Sequence, residues 1–142
     1  MLLADVNIYI QAFRPELAQH REMRQWLEQL IGGDESYGVA ELVLSAFLRI
    51  VTNPRAFEYP NTIQDAVAFA DEVRNQPNCV LIAPGTRHWD IFTGLCKQVG
   101  ARGNLVPDAY SAALAIESGS EWVTLDRDFS RFPGLRWRHP LE

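Results

Sequence analysis

The sequence predicts an α/β fold in which helices cover both faces of a central, mainly parallel sheet, giving three layers. Four short runs rich in strand-forming residues are spread along the chain, and three of them end directly before an acidic residue. Between consecutive runs lie two stretches with the apolar periodicity of an amphipathic helix. Strands that alternate with helices in this way are typical of parallel sheets, because each return connection carries helices over a face of the sheet.

The first part of the chain predicts one strand and two helices. Residues 1–4 are an apolar run that we interpret as a buried strand, and a helix is expected to begin near Val6. A longer amphipathic helix is expected from Pro15 to the glycine pair at 32–33, which would end it. Its apolar face would carry Leu17, Met23, Trp26, Leu27 and Leu30.

The middle of the chain predicts two further strands and two further helices. Residues 36–40 are interpreted as a second strand, and residues 41–51 as the helix that follows it. Residues 62–75 have the pattern of an amphipathic helix, which Thr62 would cap. The apolar run 79–83 shows no polar alternation, so we expect a strand that is buried on both faces.

The last part of the chain predicts two helices and the final strands. Residues 86–99 have the spacing of an amphipathic helix. A second helix would open at Pro107 and Asp108, and its small, mostly apolar body would let it pack closely against a sheet. The run 122–125 is interpreted as a strand that leads into an acidic loop, and residues 135–138 could form a last edge strand.

Length and composition favour a single folded domain over residues 1–142. A chain of 142 residues with 47% hydrophobic residues can bury one core without stabilisation by disulfides or a structural metal. It has no apolar run of membrane-spanning length and no basic leader, so we expect neither membrane insertion nor secretion. Cys79 and Cys96 lack the spacing of a zinc or redox motif, and we expect ordinary thiols of a cytoplasmic protein.

The charge pattern argues against a protein that holds nucleic acid through bulk electrostatics, because the formal net charge is −5. The basic residues are nevertheless almost all arginine, since Lys97 is the only lysine among 13. Arginine forms bidentate contacts with phosphate, although it also forms ordinary surface ion pairs. The candidates for phosphate contact are Arg49 on the second-strand helix, and Arg127 and Arg131 in the tail.

Acidic residues stand where the predicted strands end. Asp5, Glu41 and Asp126 each follow a strand, and Asp128 lies two residues further on. Asp108, in the first turn of a helix, would reach the same edge if the loop before it crosses there. Taken singly, each acid has a simpler explanation as a helix cap or a partner of a helix dipole. Together they point to the carboxyl edge of the sheet, where parallel α/β proteins have their functional crevice.

Several carboxylates at one edge repel one another unless a proton or a cation binds. The histidines at positions 20, 88 and 139 lie away from these junctions, so the predicted donors are all oxygen atoms. Such a donor set favours Mg²⁺, with Mn²⁺ as a substitute, over zinc. A divalent ion stabilises the charge that develops on a phosphodiester during hydrolysis. The pattern therefore predicts metal-dependent phosphodiester cleavage, and Asn7 is expected to hydrogen-bond Asp5 and fix its rotamer.

Three segments of the chain match a known pattern: LLADVNIYI, ELVLSAFLRIVTNPRAF and VPDAYSAALAIESGSEWVTLDRDFSRFPGLRW. They resemble the PIN-domain ribonucleases, and most closely the VapC-type toxins of bacterial toxin–antitoxin pairs. The resemblance covers essentially the whole chain. It implies a small, three-layer α/β/α PIN-like domain that cleaves RNA with Mg²⁺ or Mn²⁺, often transfer or ribosomal RNA.

The resemblance also implies partners. These are a cognate VapB-type antitoxin that blocks the site, a second copy of the chain in a homodimer, and a toxin–antitoxin hetero-oligomer. Phe57, Tyr59 and Trp137 are the aromatic side chains considered for the dimer interface, with burial in the core as the alternative.

Carried over by position, the resemblance assigns roles to five residues. Asp5 and Asp108 would be the principal metal ligands, and Asp126 would be the third carboxylate. Asp128 would assist them, and Thr124 would support them through hydrogen bonds.

The family glutamate is the point where this sequence departs from the pattern. Aligning SAFLRIV places Ala46 at that position, which leaves it without an acid. Glu41, at the start of the same helix, is the candidate substitute because it also lies at the carboxyl edge.

Two other functions remain open from the sequence. The missing acid at Ala46 and the negative net charge suit a PIN-fold module that binds RNA or protein through a degraded site. A metal-dependent phosphatase of small phosphoesters, on a similar sheet, would use the same carboxylates. A binding module with a degraded site should not bind Mn²⁺, whereas a nuclease should. A phosphatase should turn over a nitrophenyl ester at rates that rival RNA cleavage.

Overall fold

The computed structural model describes residues 1–142 and contains one sheet of five strands. The strands are β1 (Leu2–Ala4), β2 (Tyr37–Val39), β3 (Cys79–Leu81), β4 (Glu121–Val123) and β5 (Trp137–Arg138). Their spatial order is β3-β2-β1-β4-β5, and every neighbouring pair is parallel. The predicted α/β fold with a central parallel sheet is confirmed.

Six α-helices and one short 3-10 helix connect the strands. They are α1 (Val6–Phe13), α2 (His20–Gly32), α3 (Glu41–Val51), α4 (Ile63–Arg74), α5 (His88–Val99), α6 (Leu105–Ser118) and the 3-10 helix Arg127–Arg131. The helices pack in two groups: α1 contacts α2 and α3, α3 contacts α4, and α5 pairs with α6. No helix is both long enough and apolar enough to cross a membrane.

Strand β1 lies at the centre of the sheet, and this position decides where Asp5 is held. Leu3 is fully buried and pairs with Gly38 of β2 on one side and Trp122 of β4 on the other. The ladder continues past the strand, because the N–H of Asp5 donates to the carbonyl of Val123 at 2.9 Å. Asp5 therefore lies next to the residues that follow β4, at the carboxyl edge of the sheet.

Helix α6 shows the close packing that its small residues predict. It begins at Leu105, two residues before Pro107, so the proline stands in the first turn, where its missing N–H has no intrahelical partner to lose. Gly119 ends the helix with a positive φ of 69°. The buried residues of α6 are Ala109, Ala112, Ala113, Leu114 and Ala115.

Strand β3 differs from the prediction. It is an edge strand, and Val80 and Leu81 are 40% and 46% exposed, so the expected burial on both faces is wrong. An apolar run has the same appearance in a central strand and at an edge, and only the pairing of β3 with β2 alone separates the two.

Helix α2 begins at His20 and not near Pro15, because the preceding turn is fixed by a side chain. Arg14 is buried, and its guanidinium donates to Glu16 at 2.6 Å and to Asn61 at 2.7 Å. These bonds tie the end of α1 to the loop after α3, which leaves residues 14–19 in turns.

The three aromatic residues considered for an interface have different surroundings. Phe57 lies under the guanidinium of Arg14, whose Cζ is 3.8 Å from the ring centroid. Trp137 is partly buried against the core. Tyr59 is 79% exposed, so it is the most accessible of the three for contact with another chain.

Candidate active site

Asp5 stands at the junction between β1 and α1, and both of its carboxylate oxygens accept hydrogen bonds. Oδ1 accepts from the N–H of Val6 at 2.7 Å and thereby caps α1. Oδ2 accepts from the hydroxyl of Thr124 at 2.7 Å and from the amide of Asn7 at 3.3 Å. The two interpretations of Asp5, as a helix cap and as a site carboxylate, are therefore compatible, because each uses a different oxygen.

The environment of Asp5 disfavours its charge. Burial raises the pKa of the Asp5 carboxyl from the ordinary 3.8 to about 6. The hydrogen bonds from Thr124 and Val6 lower this pKa, whereas the charges of Asp108 and Asp126 raise it further. A group with these properties is stabilised as an anion when a cation binds nearby.

Replacing Asp5 with asparagine is expected to stabilise the protein at about pH 7 in the absence of divalent ions. Because the folded pKa is above the unfolded one, the native state loses stability as the pH rises from about 4 through about 6. Asparagine caps a helix as well as aspartate and carries no charge. We expect a gain of roughly 1–3 kcal/mol at neutral pH and almost none below about pH 4.

Urea unfolding in EDTA at several pH values measures this gain. The exposed Asp71, replaced by asparagine, serves as the matched control. A variant at Asp5 that is less stable than the parent at neutral pH contradicts the prediction.

Thr124 and Asn7 join the ends of β1 and β4 in one hydrogen-bond network. Thr124 is fully buried, and its Oγ1 accepts from the amide of Asn7 at 3.1 Å and from the N–H of Asp126 at 3.0 Å. The side-chain Oδ1 of Asn7 accepts from the backbone N–H of Leu125 at 3.2 Å. The expected hydrogen bonds from Asn7 and Thr124 to Asp5 are thus present, and they fix Asp5 relative to the loop that carries Asp126.

Replacing Thr124 with valine is expected to lower the free energy of unfolding by about 1–3 kcal/mol, because buried partners are left without a hydroxyl. The pKa of Asp5 should rise further, since the hydrogen bond from Thr124 lowers it. Urea unfolding and an NMR titration of the Asp5 carboxyl measure the two effects. Thr124→Ser keeps the hydroxyl and is the matched control; equal stability of the two variants would show that the network contributes nothing.

Asp108 and Asp126 lie near Asp5 and act on it through their charges. Asp108 is half-buried in the first turn of α6, and burial, followed by the charge of Asp126, raises the pKa of its carboxyl. Arg131 lowers that pKa, and Asp128 raises it. The Oδ1 atom of Asp126 accepts from the N–H of Asp128 at 2.9 Å, which caps the 3-10 helix, while Asp128 itself is exposed. Asp5, Asp108 and Asp126 are therefore near enough for their charges to interact, and Asp128 lies at the rim.

A cavity of about 750 Å³ has Asp5 and Asp108 in its wall and is bounded by α3, α5 and α6. Arg49 is the only basic residue of its lining. Ala46 also lines it, so the position that the resemblance assigns to a glutamate faces the cavity without an acid. The other α3 residues of the lining are Leu42, Val43, Ser45 and Ile50.

Two predicted site residues are engaged elsewhere. Glu41 accepts from the Nε of Arg74 on α4 at 2.9 Å, its side chain is 66% exposed, and it does not line the cavity. The prediction that Glu41 reaches the carboxylates is therefore not supported by this structure, because the first residue of α3 points toward α4. Arg127 forms an ion pair with Glu142 at the surface, away from the cavity lining.

The residues in the wall of the cavity opposite α3 were not indicated by the sequence. Phe92 of α5 and Tyr110 and Ser111 of α6 line it, together with Asn104, which precedes α6. Periodicity marks Phe92 only as a residue of an apolar helix face, and no spacing relates it to Tyr110. The packing of α5 against α6 creates this wall.

The donors of the site fit a hard divalent cation. No three Asp, Glu, His or Cys side chains are placed to chelate an ion by themselves. Mg²⁺ does not require such a cage, because it is usually held by one or two carboxylates and completes its shell with waters and substrate phosphates. The raised pKa of Asp5 and the mutual repulsion of Asp5, Asp108 and Asp126 indicate a place where a cation is favourable.

The chain is thus an α/β protein with carboxylates at the carboxyl edge of a parallel sheet. It belongs to the PIN domain family, whose model matches residues 2–135. Within that family the chain groups with the VapC ribonucleases. It is 43% identical over 142 residues to "VapC ribonuclease Mb2897" of Mycobacterium bovis, a match that covers 100% of this chain and 97% of that protein.

Solved structures share the fold at low sequence identity. VapBC2 from Rickettsia felis, bound to a DNA fragment from its promoter, superposes with a TM-score of 0.68 at 17% identity, covering 97% of both chains. VapC20 of Mycobacterium tuberculosis, described as a sarcin–ricin loop cleaving toxin, has a TM-score of 0.65 at 17% identity, covering 96% of this chain and 99% of that chain.

Proposed function

We propose that the chain, as a single PIN domain, is a toxic endoribonuclease that depends on Mg²⁺, with Mn²⁺ as a substitute. The observation that carries the proposal is the shared cavity of Asp5 and Asp108, two mutually repelling carboxylates beside one free arginine. The relative from M. bovis, which matches the full length of this chain, is named a ribonuclease, and this supports RNA as the substrate.

In the proposed mechanism, Asp5 and Asp108 would hold the ion, Asp126 would be the third carboxylate beside them, and Asp5 is kept in one orientation. The bound ion supplies positive charge that offsets the charge developing on the phosphodiester. Thr124 and Asn7 donate to Oδ2 of Asp5, so the side chain loses little freedom when the ion binds. Burial around Asp5 strengthens its attraction to a cation, because the local dielectric is low.

The remaining candidate residues contribute less directly. We propose that Arg49, which lines the cavity, and Arg131, whose charge lowers the pKa of Asp108, contact RNA phosphates. Asp128 assists from the rim. Glu41 and Arg127 enter the mechanism only if their ion pairs with Arg74 and Glu142 open.

The proposed partners follow from the relatives. We propose a cognate VapB-type antitoxin that covers the cavity with an apolar helix and directs an arginine toward the acids, and a homodimer of the chain itself. Transfer or ribosomal RNA is the proposed substrate, as the description of VapC20 illustrates. The two free thiols suit a reducing compartment, and we propose that the protein acts in the cytoplasm.

Removing divalent ions is expected to abolish RNA cleavage. The purified protein is incubated with transfer RNA and ribosomal RNA in EDTA, and then with Mg²⁺ or Mn²⁺ restored. We expect cleavage only with added metal, no comparable turnover of a nitrophenyl phosphate ester, and growth arrest on expression that the antitoxin relieves. Cleavage that persists in EDTA contradicts the proposal.

One observation favours a second function. Because Ala46 lines the cavity at the position where the family pattern has an acid, a PIN-fold module that binds RNA or protein without cleaving it is the alternative. Calorimetric titration of Mn²⁺ separates the two proposals, since a degraded site should bind no ion at millimolar concentration.

A further inference from the structure

The cavity beside Asp5 and Asp108 has an aromatic wall that contact with phosphate does not explain. Phe92 and Tyr110 both line it, with ring centroids 5.3 Å apart and planes at 71°. Buried His88 supports the pair from behind, since its ring lies 4.3 Å from that of Tyr110 and its Nε2 is 3.0 Å from the Tyr110 carbonyl. The wall is therefore held rigidly, while Phe92 and Tyr110 remain partly exposed.

Two polar side chains of the same lining are free to bind a ligand. Asn104 stands at the N-cap of α6, where an asparagine normally accepts from a backbone N–H, yet its side chain makes no capping hydrogen bond. Arg49 takes part in none of the ion pairs of the protein. The cavity thus combines the guanidinium of Arg49, the side-chain amide of Asn104 and an aromatic surface.

We propose that this cavity binds one unpaired nucleotide of the substrate RNA, next to the phosphate that is cleaved. The base lies against Phe92 and Tyr110, Asn104 hydrogen-bonds its edge, and Arg49 contacts its phosphate. This inference rests on the proposed ribonuclease function and adds the base-recognition subsite to it.

The chemistry of the wall favours a nucleotide over other occupants. Proteins that recognise single-stranded RNA stack splayed bases on aromatic side chains and hydrogen-bond the base edges. The cavity volume of about 750 Å³ lies within the usual range of ligand pockets. An apolar helix, such as the one proposed for the antitoxin, would cover Leu42 and Val106 and compete with the nucleotide, whereas Arg49 and Asn104 suit a polar ligand.

The test compares ligands that differ only by the base. The four nucleoside 5′-monophosphates, and ribose 5-phosphate as the ligand without a base, are titrated into the protein in EDTA and followed by amide NMR shifts. Because all these ligands carry the same sugar and phosphate, the carboxylates of Asp5 and Asp108 repel each ligand's phosphate to the same extent. We expect at least one nucleotide to bind roughly tenfold more tightly than ribose 5-phosphate, as base stacking on an aromatic ring predicts.

Matched variants assign the parts of the subsite. Tyr110→Leu and Phe92→Leu should remove the preference for nucleotides over ribose 5-phosphate, whereas Tyr110→Phe should keep it. Tyr59→Leu is the aromatic control, since Tyr59 is 79% exposed and does not line the cavity. Arg49→Gln should weaken all the ligands equally, and Arg55→Gln, an exposed arginine outside the cavity lining, should weaken none. Thermal unfolding of each variant confirms that it is folded.

The outcomes separate this inference from the proposed function. Equal binding of nucleotides and ribose 5-phosphate, or a nucleotide preference that survives Tyr110→Leu and Phe92→Leu, overturns the subsite even if RNA is cleaved. Loss of antitoxin binding in these variants, with nucleotide binding unchanged, overturns it in favour of a protein-binding wall. A nucleotide preference that depends on both rings supports the subsite, and failure of RNA cleavage with metal would then reject only the ribonuclease function.

Discussion

Replacing Asp108 with asparagine is expected to reduce metal-dependent RNA cleavage on the order of a thousandfold, because charge stabilisation by a bound cation contributes several kcal/mol. The substitution removes one of the two carboxylates in the cavity wall and keeps the shape of the side chain. Asp108 accepts no protein hydrogen bond that caps its helix, so the fold should survive. Single-turnover cleavage of RNA in Mg²⁺, with circular dichroism of each variant, measures both parts of the expectation.

Two further variants serve as comparisons for this prediction. Asp71→Asn changes an exposed carboxylate of α4 in the same way and should leave cleavage unaltered. Glu41→Gln should reduce cleavage only a few-fold, because Glu41 pairs with Arg74 and does not line the cavity. A loss at Glu41 as large as the loss at Asp108 would show that Glu41 leaves its ion pair and joins the site. Full cleavage by Asp108→Asn would remove the basis of the nuclease proposal.

The sheet and its acidic edge could be predicted because both follow from local rules. Apolar runs alternating with amphipathic helices predict parallel strands, and the carboxyl ends of such strands meet at one edge. Asp5 and Asp126 are one residue and three residues beyond the ends of their strands, so their approach required only that β1 and β4 be neighbours. The hydrogen bond from Asn7 to Asp5 is local in sequence and was predictable for the same reason.

The direction of a side chain at a helix start could not be predicted, because it depends on what packs beside the helix. The predicted strands placed Glu41 directly after β2, as Asp5 is after β1, but Ala40 separates Glu41 from β2. Glu41 is therefore the first residue of α3, whereas Asp5 is the N-cap of α1. The ion pair with Arg74 of α4 holds Glu41 outside the cavity. The ion pair of Arg127 with the terminal Glu142 is a similar case, in which a residue distant in sequence engages a predicted phosphate contact.

The aromatic wall could not be predicted from the sequence for a different physical reason. Phe92 and Tyr110 belong to separate helices, and each pattern alone is that of an ordinary core residue. Their meeting depends on how α5 packs against α6, and the support from His88 appears only in that packing. Tertiary packing between helices, and not strand order, therefore decides which side chains complete the cavity.

Replacing Phe47 with alanine is expected to lower the free energy of unfolding by about 3–5 kcal/mol, the cost of deleting a buried phenyl ring. Phe47 of α3 is fully buried, and its ring centroid lies 5.3 Å from that of Phe13 on α1 and 5.2 Å from that of Phe69 on α4. The substitution would leave a cavity between α1, α3 and α4, and no single one of these helices could fill it by moving alone. Urea unfolding measures the loss, and Tyr59→Ala, which removes an exposed ring, should cost less than about 0.5 kcal/mol.

The same substitution also tests how packing supports the site. Phe47 and Arg49 lie two residues apart and therefore on nearly opposite faces of α3, one toward the core and one toward the cavity. At low temperature, where Phe47→Ala remains folded, we expect RNA cleavage close to that of the parent protein. Cleavage should disappear on warming together with the fold, whereas Asp108→Asn should lose cleavage without losing the fold. A Phe47→Ala protein that is stable but inactive would show that the core residues of α3 position Arg49 directly.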